Sequence, residues 1–389
     1  MKKKILTGLL ITLIIAVLSF FALVPPLVDN ASNQLTSSPP QPATDKVKSL
    51  HQSLFIADLH SDSLLWGRNL SKGYQRGHMD LPRLREGGMA LQAFSVVTKV
   101  PFGLNIQKNT GDSDMIFWLG LSQAWSPSAL QSLLSRAERQ AGMLHDIADS
   151  PANKFTLILN RKNLQDFIAR RKTDKDALAG WLTLEGAQAM EGDLKNLDAL
   201  YEAGFRMIAP THFFDTELSG SAHGVNKGGL TALGKQWVKA MENKSMIIDL
   251  AHASAKTISD VLTMAKRPVI VSHTGVKGTC NNNRNLSDAQ LKAIAANGGI
   301  VGIGFWSTAV CGHDAASIAR AIKYTVNLIG VEHVAMGSDF DGAVATPFDV
   351  TRLDGLTEAL MKAGLNERQI RRIMGENIRD FLLKNLPSA

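Results

Sequence analysis

The chain has 389 residues, of which 45% are hydrophobic and 20% charged, with a formal net charge of +7. That is ample for a large core, and barrels often reach this length as single domains. Lys and Arg are spread along the chain, without basic blocks interleaved with aromatics and without zinc-finger spacing, so nothing supports nucleic-acid binding.

Lys2, Lys3 and Lys4 precede an uncharged run from Ile5 to Val24, which is long enough to cross a bilayer. The lysines place that end in the cytoplasm. A cleaved secretory signal is the alternative, but Phe20, Phe21 and Leu23 stand where a cleavage site wants small residues. No Cys follows the run, which excludes a lipoprotein anchor. We therefore read residues 1–24 as a membrane anchor in preference to a cleaved signal. Either way the body is exported: a periplasmic domain on a bacterial-type inner membrane, or a secreted or periplasmic protein if the segment is removed. Residues 25–49, rich in Pro, Ser, Asn and Gln, read as a flexible linker. The folded domain is expected over residues 50–389. Cys280 and Cys311 are the two cysteines, and in an exported compartment an even pair is able to form one disulfide.

Within the body, apolar runs alternate with helical patterns. The runs are LFIADL (54–59), ALQAFSVV (90–97), GWLTLEG (180–186), FRMIAPTH (205–212), SMIIDLAH (245–252), RPVIVSH (267–273), GGIVGIGF (298–305) and EHVAMGSDF (332–340). Several are continuous and rich in Ile and Val, as strands buried on both faces are. Helix starts are marked by Thr231, Ser254 and Ser287, and Gly or Asn marks helix ends. Residues 100–175 look mainly helical and read as an insertion. LNERQIRRIMGENIRDFLLKNL closes the chain as helices. Eight strands alternating with helices predict a parallel α/β fold, most naturally a (β/α)8 TIM-like barrel, with an open doubly wound sheet as the alternative. No G-x-G-x-x-G follows the first strand, so a dinucleotide site gets no support.

The ionisable residues fall at the ends of these runs. IADLHSDSLL carries His60 and Asp62, two residues apart and so on one side of an extended chain. GWLTLEG ends in Glu185, MIAPTH in His212, MIIDLAH in His252 and RPVIVSH in His273, while HVAMGSDFDG supplies Asp339 and Asp341. In a barrel the carboxyl ends of the strands form one rim, and that rim carries the active site. Any one of these histidines alone reads as a structural hydrogen-bonding group. Together, His and carboxylate without thiolate suit zinc or a similar divalent ion. The remaining histidines read as structural or solvated, with His78 and His223 the two placed to approach the rim on loops.

DLHSD, LEG, APTH, IDLAH followed by PVIVSH, NNNRN and GSDFDG together resemble the renal (membrane) dipeptidase family of zinc peptidases, over about residues 54–384. The resemblance implies a two-zinc barrel hydrolase that cleaves dipeptides with metal-activated hydroxide. It puts the first zinc pair on His60 and Asp62, the bridging carboxylate on Glu185, and the second zinc on His252 and His273. It puts the substrate-polarising histidine on His212, the proton-handling carboxylate on Asp339, and the arginine that grips the substrate carboxylate on Arg284. It pairs Cys280 with Cys311. It implies a dipeptide as substrate and two zinc ions as cofactors; the membrane is expected as a partner through the N-terminal helix read above, and a homodimer is a compatible assembly. The chain departs from the family where Glu185 is followed by Gly186-Ala187-Gln188, in the loop FFDTELSGSAHG after His212, and at Phe305-Trp306, where an aromatic hydroxyl is expected. These departures concern the substrate pocket. Two other readings compete. One is a related amidohydrolase acting on another small amide or lactam. The other is a metal- or solute-binding tethered protein without turnover, against which the presence of Asp339 beside five ligand-type residues argues. The absence of a strand-end Lys disfavours enzymes that bridge their metals with a carbamylated lysine.

Overall fold

The computed structural model describes residues 2–36, 40 and 42–388. Each of the eight apolar runs coincides with a strand to within two residues or encloses it: β1 (Ile56–Asp58), β2 (Met89–Val97), β3 (Leu178–Glu185), β4 (Phe205–Ile208), β5 (Ile247–Ile248), β6 (Ile270–Thr274), β7 (Ile300–Ile303) and β8 (Val334–Met336). They form two parallel sheets, in the orders β1-β2-β3-β4-β5 and β6-β7-β8. A short extra strand, Phe155–Leu157, pairs with the start of β3. At one seam Asp249 bridges Ile270 in parallel, and the Leu250 amide donates to the Ile270 carbonyl at 2.8 Å. At the other, Ser61 bridges Phe340 and the Leu59 amide donates to the Met336 carbonyl at 3.1 Å. The class is therefore α/β, with every strand pair parallel and its connections carried by helices.

The period of two along a strand separates the two faces. In β3, Ala179 and Trp181 join one buried cluster, with Leu91, Ala93, Met207, Ile247 and Ile300. Leu178, Leu182 and Leu184 join another, with Val271, Val301 and the packed helices. Glu185 has the parity of Ala179 and Trp181, so it stands on the face they share, at the carboxyl end of its strand. The helix starts follow the sequence signals. Thr231 accepts from the Gly234 amide and Ser254 from the Thr257 amide, while Ser287 forms a reciprocal box with Gln290. Each satisfies amide groups that the first helical turn would otherwise leave unpaired. Residues 100–175 are mainly helical, as expected, with helices Met115–Ser122, Pro127–Gln131, Leu133–Asp149 and Arg161–Arg171.

The N-terminal segment differs from a tether. An apolar helix runs from Lys2 to Ser32, with Pro25 and Pro26 inside it, and its apolar stretch is exposed with a mean hydropathy of 2.7. Of residues 25–49, expected as a flexible linker, the first part continues this helix. Asp29 is buried against Arg68 Nε at 3.2 Å and Arg76 Nε at 2.8 Å, and Asn33, one turn later, donates to Asp29 at 2.9 Å. Gln34–Leu35 then pairs in parallel with Ala345–Thr346, and a second helix spans Asp45–Ser53. Asp29 reaches a buried arginine and Asn33 braces it from one helical turn away, a pairing that composition alone does not reveal. Cys280 and Cys311 are bonded, with a Cα separation of 5.2 Å, which ties the loop after β6 to the loop after β7.

Candidate metal centre

The residues expected at the rim converge. His60 follows β1, Glu185 ends β3, His212 follows β4, His252 follows β5, His273 lies in β6 and Asp339 follows β8. All six are nearly fully buried. Their ligand-type atoms form three overlapping groups, His60–Glu185–His273, Glu185–His212–His252 and His60–Asp62–Asp339, each with all atoms within 4.8 Å of one another.

Glu185 stands between two sets. Its Oε2 is 3.6 Å from His60 Nε2, which is also 3.5 Å from Asp62 Oδ1. Its Oε1 is 3.0 Å from His252 Nε2, 3.2 Å from His273 Nε2 and 3.5 Å from His212 Nε2. His252 Nε2 and His273 Nε2 are 3.0 Å apart. Arg284 Nη2 lies 3.1 Å from His252 Nε2, and a guanidinium only donates, so His252 presents a lone pair there. His60 Nε2 and Asp62 Oδ1 are buried with no hydrogen-bond partner. Orphaned buried polar atoms are costly, and a divalent cation is the group whose chemistry fits a set of imidazole nitrogens and carboxylate oxygens. Burial first, and then positive neighbours including Arg284, push His212, His252 and His273 well below the ordinary histidine pKa. That keeps them in the neutral form a metal needs. Burial opposes charging His60 too, but Glu185 and Asp62 outweigh it and hold its pKa well above the ordinary value.

Around this centre the loops are held by hydrogen bonds. Asp58 accepts from the Ser338 amide and from Ser338 Oγ, both at 2.7 Å, and from Gln92 at 2.8 Å. Ser338 in turn starts the loop that carries Asp339. Asp339 has φ 62°, a left-handed conformation, and its Oδ1 lies 4.0 Å from His60 Nε2. Burial holds its carboxyl well above the ordinary range, and Asp62 and Glu185 add to this against His60. Arg284 is buried, with Nη2 donating to the His273 carbonyl at 2.9 Å and its Cζ 5.3 Å from the Trp306 ring.

A family model of the membrane dipeptidases, peptidase family M19, matches residues 44–381. The chain belongs to that family. It is similar to the dipeptidase aclJ of Aspergillus oryzae, 26% identical over 345 residues, which cover 83% of this chain and 76% of that one. An uncharacterised Klebsiella pneumoniae protein encoded in the 5′ region of pqqA is 30% identical over 254 residues, 61% of this chain and 92% of that one. Among solved structures, the metallopeptidase named dipeptidase AC, also of family M19, superposes with a TM-score of 0.69 at 26% identity, covering 87% of this chain and 100% of that one. The M19 chains are metallopeptidases, and dipeptide hydrolysis is the activity that the family supports.

Where this M19 chain departs from the expected pattern, the structure shows what fills the space. Gln188 folds back, with Nε2 3.4 Å from the Glu185 carbonyl. His223, in the loop after His212, is buried with its ring 5.2 Å from that of His252. Its Nδ1 donates to the Ile106 carbonyl at 2.9 Å, which leaves Nε2 a bare, unpartnered acceptor. His78 does not join the cluster. Its Nδ1 accepts from the Asp341 amide at 2.8 Å and its Nε2 donates to the Gln34 carbonyl at 3.0 Å. The sequence left Asp58 and Asn109 without a role here, and Asp341, read at the rim, does not join the cluster but turns to Ser63, His78 and Arg68. Asp58 and Asp341 lie inside the quoted DLHSD and GSDFDG runs. Asn109, whose Nδ2 donates to the carbonyls of Phe213 and His223 at 3.1 Å each, carried no signal.

Proposed function

We propose that the chain is a two-zinc dipeptidase held on the outer side of a membrane by its N-terminal helix. The observation that carries the reading is Glu185, whose two oxygens face different sets of ligand-type atoms. His60 and Asp62 would hold one zinc, His252 and His273 the other, and Glu185 both. Bound there, zinc supplies Lewis acidity toward the scissile carbonyl and lowers the pKa of water toward neutrality. Asp339 takes the proton of the attacking water and returns it to the leaving amine. His212 donates to the oxygen on which negative charge develops. Arg284 has only Nη2 engaged within the protein among the described residues, so its other donors serve the free carboxylate of a short substrate. A clamp on that carboxylate sets the length limit: a dipeptide reaches it from the scissile bond, and a long chain has none there.

The bridges at both seams support reading the two sheets as one closed (β/α)8 barrel, with residues 100–175 inserted between β2 and β3. The exposed apolar helix supports the anchor, and the disulfide fits an oxidising, exported compartment. The test is release of amino acids from a panel of dipeptides by the full chain, before and after chelation and with zinc restored. Hydrolysis of dipeptides that is lost on chelation and regained with zinc is the expected result. Turnover confined to lactams or to amides without a free carboxylate would reject dipeptides as the substrate, and no turnover with zinc bound would reject catalysis.

A further inference from the structure

Among the described residues, the exposed large apolar side chains fall in two stretches, residues 5–35 and 102–118, with Val225 the one outlier. The second stretch is not amphipathic in the usual way. The helix Met115–Ser122 reads MIFWLGLS, and while it buries Ile116 and Leu119, Met115 and Trp118 face outward, Trp118 at 57% exposure. Phe102, 55% exposed, is held beside them: its amide donates to Ser113 Oγ at 2.9 Å, and the Met115 amide donates to the Val100 carbonyl at 2.7 Å. The Asp114 cap that starts this helix is fixed by Arg136 Nη1 at 2.6 Å, so the outward face is rigid rather than frayed.

This face adjoins the N-terminal helix. The Met115–Ser122 helix packs directly on it. Along that N-terminal helix, Lys3–Leu18 are all exposed, and burial begins only at Ser19, Val24 and Pro25. The body therefore meets the helix where its apolar run ends, at the level where a spanning segment would leave the hydrocarbon. Aromatic side chains with a polar edge favour that level, since the ring is accepted by lipid and the indole N–H by headgroups and water.

We infer that Phe102, Leu104, Met115 and Trp118 form a membrane-contacting face that rests in the interfacial layer of a lipid bilayer. The inference rests on reading the N-terminal helix as an anchor, and it adds that the body lies on the lipid rather than standing off it. It has a consequence for the site. The same segment forms a wall of the centre through Asn109, and Gln107 Oε1 accepts from Asn283 Nδ2 at 2.6 Å, next to Arg284. The loop that would touch lipid is thus also in contact with the loop that carries Arg284.

The experiment uses the full chain in vesicles whose acyl chains carry bromine, a short-range quencher of tryptophan. Five of the six tryptophans are buried, and Trp118 alone is exposed. Bromine-dependent quenching is expected, most of it lost in Trp118→Ser. The described chain has no free cysteine, so a probe on Leu104→Cys gives a second reading, expected to report an apolar environment in vesicles. Retention of the chain after an alkaline carbonate wash tests the anchor separately. A retained chain without quenching and with a water-exposed Leu104 probe overturns the face and leaves the anchor standing. Quenching without retention keeps the face and removes the anchor. Trp118 shielded from bromine while Met115→Cys cross-links between chains would assign the face to a second copy and overturn the inference.

Discussion

Replacing Asp339 by Asn tests the proposed proton-transfer step. Its Oδ1 is 4.0 Å from the nearest imidazole nitrogen of the cluster, His60 Nε2, whereas Glu185 lies 3.0–3.6 Å from four of them. Loss of the Asp339 charge should therefore leave the metals bound. The amide keeps the size and shape of the side chain but cannot accept and return a proton. General acid–base groups contribute about 10²–10⁴-fold, so kcat should fall by that factor, equivalent to about 2.7–5.4 kcal/mol in the barrier. The backbone supplies a control. At φ 62°, Asn is among the few non-glycine residues that tolerate the left-handed region, and Gly fits it freely. Asp339→Asn and Asp339→Gly should lose the same kcat at nearly unchanged melting temperature. Asp339→Ala should lose that activity and about 1–2 kcal/mol of stability as well. Initial rates of amino-acid release across substrate concentration, with metal content measured on the same samples, decide the matter. An Asn variant with wild-type kcat, or one that has lost a zinc, would refute the assignment.

Glu185→Gln should deplete both metals, because one side chain faces both ligand sets, and elemental analysis showing one full site would reject the bridge. Arg284→Met should lower kcat/KM for free dipeptides and spare amidated ones, and equal loss on both would show that the arginine holds its loop rather than the substrate. Asp341→Asn tests stability. Against burial, Arg68 and then His78 hold the Asp341 carboxyl below its ordinary value, so its contribution is present above the unfolded pKa of about 3.9 and is lost as pH falls. Breaking this buried pair should lower unfolding stability at pH 7 by about 3–5 kcal/mol, and the gap to wild type in urea titrations should narrow below about pH 4. A gap that is constant with pH would assign the loss to packing instead.

Much of this was legible because the signals were periodic or terminal. Each apolar run marks its strand because both faces of a parallel strand are buried, so hydrophobicity persists along it without alternation. The rim residues could be read for a related reason. A His or carboxylate placed directly after such a run has no apolar neighbour to satisfy it, and the only place where six strands can end that way is a shared site. Less legible were contacts made across long sequence separations by single polar residues. Asn109 has no neighbour in sequence that hints at Phe213 or His223. Phe155–Leu157 is too short to stand out within a helical stretch, and it is a strand only because β3 offers an edge. Asp29 looked like linker because its partner, Arg68, lies in another part of the chain.

Asp339 and Asp341 show how closely the legible and illegible parts are joined. Both have φ 62°, yet they face opposite ways. Asp339 looks into the cluster. Asp341 looks out, where it accepts from Ser63 Oγ and the His78 amide, both at 2.6 Å, and pairs with Arg68. Arg68 also meets Asp29 on the N-terminal helix, and Asn33 Oδ1 accepts from the Ala343 amide at 3.0 Å, in the same loop. The loop that presents Asp339 is thus clamped from behind by the end of the N-terminal helix. A non-glycine residue in the left-handed region persists when its surroundings over-determine it, and here those surroundings include Asp29 and Asn33. The apolar N-terminal helix is therefore part of the scaffold that fixes the position of Asp339.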